Sequence, residues 1–274
     1  MRLLLLGTGT CLGALPGTVA RQPPLFALEL GAPGDASRTL VLDCSEGARF
    51  RLAAAGIEAS RVAHLAVSHP HADHAALPQF LQGRSCDAVV RGAARADLAL
   101  ALYLPRASAE DFTSLLRWHE PENGGRTSSR WDLDLVAVDD DFARELWPGV
   151  LLRAFAVSHG HGRSPAVAYR VEAHGRILAY SGDSGPCDGL VRAAIGADLF
   201  LCEASAAIGK DLSEYGHLTP RQAGEAALAA GAKRLVLTHY HGVDGDDAML
   251  ADARSSGYAG DLAIGRDGDV VPLA

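Results

Sequence analysis

"SHPHADH", residues 68–74, places three histidines and one aspartate within seven positions, directly after the apolar run "HLAV" (64–67). A short apolar run that ends in a polar turn reads as a buried strand carrying functional groups at its end. Neutral imidazole and carboxylate are the side chains that suit a borderline ion such as zinc, and a catalytic site gathers several of them while leaving one position open. His69 and His71, two apart on extended chain, can face the same way, whereas the adjacent Asp73 and His74 must diverge. A single ion would struggle to use all four, so the spacing points to two ions side by side.

Two ions need further ligands, and other apolar runs end in them: "AVSHGHG" (156–162) offers His159 or His161, "YSGDS" (180–184) offers Asp183, and "VLTHYH" (236–241) offers His239. The runs themselves are "LLLL" (3–6), "LFALEL" (25–30), "TLVLD" (39–43), "HLAVS" (64–68), "DLVAV" (134–138), "LLRAFAVS" (151–158), "AVAYRVE" (166–172), "ILAYSGD" (177–183), "LFLCE" (199–203) and "RLVLTH" (234–239). Their length and their β-branched or aromatic content favour strands. Between them, "TPRQAGEAALAAGAK" (219–233) reads as a helix with Thr219 as N-cap, Pro220 at its first position, Gln222 closing a capping box and Gly231 as the stop. "SAEDFTSLLRW" (108–118) repeats that logic from Ser108 with Asp111, and "EGARFRLAAAGI" (46–57) and "HAALPQFLQG" (74–83) are shorter helix candidates. The order is strand-rich, helical over 92–118, then strand-rich again, which predicts two layered halves, about 1–150 and 151–274, of one domain spanning 1–274. "PENGGRTSSR" (121–130) reads as loop.

Composition narrows the function. Hydrophobic residues at 48% and charged residues at 21% are ordinary for a globular enzyme, and 30 glycines with 13 prolines imply many tight turns. A net charge of −8 argues against a general nucleic-acid binder, which needs clustered Lys and Arg against phosphate. Five scattered cysteines without a CxxC pair fit neither a disulfide framework nor a zinc knuckle, so a reducing cytoplasm is the expected compartment. The opening "MRLLLLGTGT" imitates a signal peptide, but Gly7 and Gly9 cut its apolar run, and we read it as a first strand entering a turn. No stretch has the roughly 20 apolar residues of a membrane span.

With these motifs in place, the chain resembles the metallo-β-lactamase superfamily, and within it the ribonuclease Z-like phosphodiesterase branch. The resemblance runs through "GTGT" (7–10), "LDCSEGARFRL" (42–52), "SHPHADH", "SGDS" (181–184), "CEAS" (202–205), "GHLTPRQA" (216–223), "LVLTHY" (235–240) and "GRDGDVV" (265–271). It implies an α/β (α+β) fold, an αββα sandwich of two mixed β-sheets flanked by helices. Carried over by position, it implies that His69, His71 and His159 hold one metal, that Asp73, His74 and His239 hold the other, and that Asp183 bridges them. The ions would be two divalent metals, zinc first, with manganese or iron as alternatives, bridged by a water or hydroxide nucleophile. Two divalent ions less Asp73, Asp183 and one hydroxide leave a local charge of about +1 that can draw in an anion the acidic surface repels.

"SHGHG" leaves the third histidine open between His159 and His161; His159, which directly follows its strand as His69 does, is the preferred one. Asp73, His217 and Glu203 are the catalytic candidates: His217 in "GHLTPRQA" matches the branch's position for protonating the leaving oxygen, and Glu203 in "CEAS" its orienting partner. Asp43 is expected behind the metals, accepting hydrogen bonds from backbone or a ligand histidine, and Cys44 is expected as a buried small residue. His64, His119 and His174 are expected to lack a functional role, with His174 in a hairpin turn, while His241 stays open between substrate contact and surface.

Ribonuclease Z proper usually carries a long arm between the third histidine and the bridging aspartate. Here 24 positions separate His159 from Asp183, enough for one hairpin. The expectation is therefore an armless, cytoplasmic phosphodiesterase acting on a small or cyclic phosphodiester, with residues 85–150 shaping the rim, no membrane contact, and a homodimer by family resemblance. The alternatives are a ribonuclease Z-type 3′ endonuclease on transfer RNA, a lactone or sulfate-ester hydrolase, a mononuclear iron oxygenase of the same superfamily, and a catalytically silent scaffold.

Overall fold

In the computed structural model, residues 1–11, 20–92, 99–119 and 133–273 are described. Each apolar run named above forms a strand. These are β1 (Arg2–Gly7), β2 (Leu25–Glu29), β3 (Thr39–Leu42), β4 (His64–Ala66), β6 (Leu133–Val138), β8 (Val150–Ala156), β9 (Val167–Ala173), β10 (Arg176–Tyr180), β11 (Leu199–Glu203) and β12 (Arg234–Thr238). Four more join them: β5 (Leu100–Pro105), β7 (Phe142–Trp147), β13 (Asp261–Ile264) and β14 (Val270–Pro272). One seven-stranded sheet has the order β14-β1-β2-β3-β4-β5-β6, the other β13-β12-β11-β10-β9-β8-β7.

Both sheets are mixed in the same way. In the first, β14, β1, β2 and β3 pair antiparallel, and β3 to β6 run parallel. In the second, β7 to β10 pair antiparallel, and β10 to β13 run parallel. Parallel pairs need crossovers, and those supply the helices: α1 (Ala48–Ala54), α2 (Leu77–Val90) and α3 (Arg106–His119) serve the first sheet, and α4 (Asp188–Ala194), α5 (Pro220–Ala230) and α6 (Asp246–Arg254) the second.

Strand alternation builds the layers. Leu3, Leu5, Phe26, Leu28, Leu40 and Leu42 point at the other sheet and meet Leu152, Tyr169, Leu178, Leu201 and Val236 in the central core. Leu4, Ala27, Val41 and Leu65 point the other way onto Leu52, Phe80 and Phe112 of the first helix layer. Phe200 and Leu235 likewise meet Leu190, Ala223 and Met249 in the second helix layer. The order is helices, sheet, sheet, helices, the expected αββα sandwich. Among the described residues, no helix is long and apolar enough to cross a membrane.

Two local expectations change. The stretch 92–118, read as helical, contains β5: Leu100–Pro105 is buried along its whole length and hydrogen-bonded in parallel on both sides. A run apolar on every side has no periodicity with which to tell a central strand from a helix. Nor does Ser108 cap α3, which starts at Arg106 directly after β5, so Ser108 lies in its first turn and its buried hydroxyl has no hydrogen-bond partner among the described residues. The α5 expectation holds in detail: Thr219 accepts from the Gln222 amide, Gln222 returns a bond to the Thr219 backbone, and Gly231 ends the helix left-handed. The loop "PENGGRTSSR" lies outside the described residues.

Candidate metal centre

The candidate functional side chains gather where strands of the two sheets end side by side. Asp43, just past β3, adopts a left-handed backbone (φ 58) that aims its carboxylate under the loop following β4. Its Oδ1 accepts the Ser68 amide at 2.7 Å, and its Oδ2 accepts the Ser68 hydroxyl at 3.0 Å and the His74 Nδ1–H at 2.6 Å. The Tyr180 hydroxyl from the second sheet also donates to Oδ2. Asp43 therefore occupies the place expected of it, fully buried behind the histidines.

The 68–74 loop is tied across the sandwich as well. Val167 N–H donates to the Ser68 carbonyl at 2.9 Å, and the Tyr169 hydroxyl to the Val67 carbonyl at 2.9 Å. Gly182, which precedes Asp183, lies so near that a Cβ there would stand 2.6 Å from Ser68 Cβ. Only a bare backbone lets the "SGDS" turn bring Asp183 against the histidine loop.

Three overlapping sets of ligand atoms result, the atoms of each set within 4.8 Å of one another: His69, His71, His159 and Asp183; Asp73, His74 and His239; and Asp183, His217 and His239. In the first, His159 Nε2 faces His71 Nδ1 at 3.1 Å and His69 Nε2 lies 3.6 Å from Asp183 Oδ2. In the second, His74 Nε2 and His239 Nε2 are 3.3 Å apart, and Asp73 Oδ2 stands 3.7 and 3.5 Å from them. Asp183 Oδ1 lies 3.3 Å from both His74 Nε2 and His239 Nδ1.

Donors held about 2.0–2.1 Å from a tetrahedral ion stand about 3.3 Å from each other, so these spacings suit zinc-type coordination. The tautomers agree. His159 gives its Nδ1–H to the Gly216 carbonyl at 3.0 Å and His74 gives its own to Asp43, which leaves each Nε2 with a lone pair toward the site when the ring is neutral. His69 Nε2, Asp183 Oδ1 and His239 Nδ1 are buried without a hydrogen-bond partner. Buried, unpaired donor atoms distributed over these ligand sets are what bound cations would satisfy.

The electrostatics are divided. Burial, reinforced by His74, holds His69 well below the usual histidine range, and burial also lowers His159. Burial opposes charge on His74 too, but the carboxylates of Asp183 and Asp43 override it and keep that ring protonated well above its ordinary value. Asp183 shows the converse: burial would raise it, and His239, His74 and His69 together hold it well below the usual carboxylate range.

His217 lies at the edge of the centre, its Nδ1 2.8 Å from Ser205 Oγ, 3.1 Å from Glu203 Oε1 and 4.0 Å from Asp183 Oδ2. Glu203 is fully buried and saturated, accepting Ser184 N–H at 3.0 Å, Ser205 N–H at 2.9 Å and the Ser205 hydroxyl at 2.6 Å. Burial disfavours charge on His217, yet its hydrogen bond to Glu203 and the nearby carboxylates push its pKa up to about 9. Ser205, which lies just past the end of β11, was given no role from the sequence, where nothing in its spacing marks it.

The remaining histidines separate by position. His161 is exposed, backbone left-handed (φ 57), with its ring against Tyr215 and Nδ1 3.5 Å from Glu214. His241 is half-buried, and burial beside His239 lowers its pKa. His174 occupies the β9–β10 turn (φ 55), and His64 packs edge-on against Trp147.

The family profile described as "Beta-lactamase superfamily domain" matches residues 38–240. Among curated relatives, the Ribonuclease Z of Mycobacterium bovis (strain BCG / Pasteur 1173P2) is 26% identical, over 97% of this chain and 96% of its own. That of Thermobifida fusca is 30% identical over 83% of each chain. Among solved structures, the metallo-beta-lactamase fold protein YhfI from Bacillus subtilis superposes with a TM-score of 0.80 at 21% identity, covering 98% of both chains. A diphosphatase from the PhnP family superposes with a TM-score of 0.74 at 18% identity, covering 100% of this chain and 98% of its own.

Proposed function

Since the chain belongs to the beta-lactamase superfamily, we propose that it is a metal-dependent hydrolase of phosphodiesters that works with two divalent ions, zinc first, on a small or cyclic substrate. One observation carries the two-ion reading: Asp183 shares the first ligand set with His69, His71 and His159, yet lies 3.3 Å from His74 and His239 of the second. A carboxylate reaching both sets would be placed to contact both ions if two were bound. His69, His71 and His159 would hold one ion, and Asp73, His74 and His239 the other. Ions bound there supply Lewis acidity and a water acidified toward neutral pH.

The chain's own residues do the rest. With two divalent ions held there, the ligand set would carry a net positive charge in an acidic protein, and would draw in and orient the phosphodiester. Glu203 and Ser205 fix the His217 Nδ1–H, so that His217 as imidazolium presents its second proton at Nε2 to the departing oxygen as the P–O bond breaks. Asp73 sits in the second ligand set, where burial is outweighed by the His239 hydrogen bond together with the charges of His74 and His239, which hold its carboxyl below the usual carboxylate range.

A second reading, RNA cleavage of the ribonuclease Z type, is favoured by the Mycobacterium bovis relative of that name, which aligns over 96% of its own length. The missing arm is therefore no bar to it. The small-substrate reading rests instead on the net charge of −8.

Zinc- or manganese-loaded protein should hydrolyse bis(p-nitrophenyl) phosphate and a cyclic phosphodiester faster than a transfer RNA precursor, and Asp183→Ala should abolish all three activities. Protein that ignores every phosphodiester yet opens lactones or cleaves sulfate esters would refute the reading, as would a stable content of one iron with His74 dispensable.

A further inference from the structure

Two motifs at opposite ends of the chain, "GTGT" (7–10) and "GRDGDVV" (265–271), take no part in the chemistry above, yet they meet beside His239. His239 follows β12 with a left-handed backbone (φ 51), so its ring orientation depends on what fixes the next peptide. The next amide, Tyr240 N–H, donates to the Thr8 carbonyl at 3.3 Å. Thr8 is fully buried and is gripped by Asp267, whose Oδ1 accepts the Thr8 amide at 2.8 Å and the Thr8 hydroxyl at 2.7 Å.

The other carboxylate oxygen of Asp267 accepts Gln22 N–H at 2.7 Å, which fastens the returning chain over the motif. Both glycines of the motif lie under that chain: a Cβ on Gly7 would stand 1.9 Å from the Pro23 carbonyl oxygen, and one on Gly9 2.7 Å from Arg21 Cβ. Arg21 completes the clasp, donating to Thr8 Oγ1 at 3.1 Å and to the Gly265 carbonyl at 3.2 Å while its guanidinium lies 4.1 Å over the Tyr240 ring.

We propose that Asp267 is a positioning residue for the metal centre: acting through Thr8, it holds the Thr238–Tyr240 turn so that His239 completes the ligand set it shares with Asp73 and His74. The inference rests on the two-ion reading. It predicts a selective effect, because His69, His71 and His159 are anchored by other contacts, and partners that orient a ligand typically account for about 10- to 100-fold of metal affinity.

The test is zinc titration with a competing chromophoric chelator, together with the visible spectrum of the cobalt-substituted protein and the melting temperature of the metal-free form. Wild type should take two ions. Asp267→Ala should weaken only the second by about 10- to 100-fold and remove its share of the cobalt spectrum, and Asp267→Asn, which keeps an acceptor for Thr8, should recover most of that loss. If Asp267→Ala does not fold, Thr8→Val, which deletes only the hydroxyl contacts, carries the test and should also weaken the second ion alone. Two ions bound at wild-type affinity in the folded Asp267 or Thr8 variants would overturn the proposal and leave Asp267 a fastening between chain ends. Equal weakening of both ions would overturn it too. A wild type that binds a single ion would instead bring down the two-ion reading, and the positioning role with it.

Discussion

His74 gives its Nδ1–H to Asp43 Oδ2 at 2.6 Å, and with that bond made its Nε2 can face only the centre formed with Asp73, His239 and Asp183. Asp43→Asn exchanges the acceptor of that bond for an amide that cannot also satisfy Ser68 and Tyr180. Zinc affinity should fall by about 10- to 100-fold, read by equilibrium dialysis. Denaturant unfolding of the metal-free protein should lose on the order of 1–3 kcal/mol, as for a buried polar group left unmatched.

His159 and His161 make a paired prediction. His159→Ala should remove one ion and reduce phosphodiesterase activity at least 100-fold, because its Nε2 lies 3.1 Å from His71 Nδ1 within the first ligand set. His161→Ala should leave the metal content at wild-type stoichiometry, since that ring is exposed against Tyr215. Metal analysis of the two purified variants decides it, and loss of an ion from His161→Ala alone would reverse the assignment.

For His217, the identity of the leaving group is the probe. His217→Ala should slow kcat about 100-fold or more for esters with alkoxide leaving groups, which need a proton, and far less for p-nitrophenolate, which departs without one. Glu203 raises the His217 pKa to about 9, so the protonated acid is present below that pH and is lost above it. Activity on alkyl esters should therefore decline on the alkaline side, and Glu203→Gln should draw that decline toward neutrality. A pH profile that does not move in Glu203→Gln would exclude this acid.

Stability at low pH should carry the signature of His64. Burial, reinforced by Arg144, lowers its pKa to about 4, whereas the unfolded chain protonates near 6.5. Because the unfolded state binds the extra proton first, stability is full above pH 6.5 and falls as the pH drops toward 4, by about 3 kcal/mol for this residue. Urea unfolding followed through Trp147, whose ring packs against His64, should show a flatter acid limb in His64→Gln.

Much of the candidate centre was legible because the candidate ligands fall at strand ends and each strand has a short apolar signature: His69, His71, Asp73, His74, Asp183 and His239 all follow such runs. His159 could be preferred over His161 on the same ground, and their different surroundings in the fold bear on that choice. The contacts of Ser205, Ser68 and Thr8 were not legible, because a hydroxyl beside a candidate site has no pattern of its own until its partner is located. The strand β5 was misread for a related reason, since a segment buried on both faces loses the alternation that marks a strand.

The sequence by itself determined the layered architecture and the side-chain types of the candidate ligands, because periodic burial and side-chain chemistry are local properties carried along the chain. Tertiary structure alone decided how candidate ligands from loops 88 and 165 positions apart (His71 with His159, His74 with His239) stand at 3.1 and 3.3 Å, and which nitrogen of each ring faces the others. It also decided that Asp267 and Thr8, 259 positions apart, close on each other at 2.8 Å beside His239. Such pairings depend on how two sheets pack and on which buried donor meets which acceptor, and these distances exist only once the sandwich has closed.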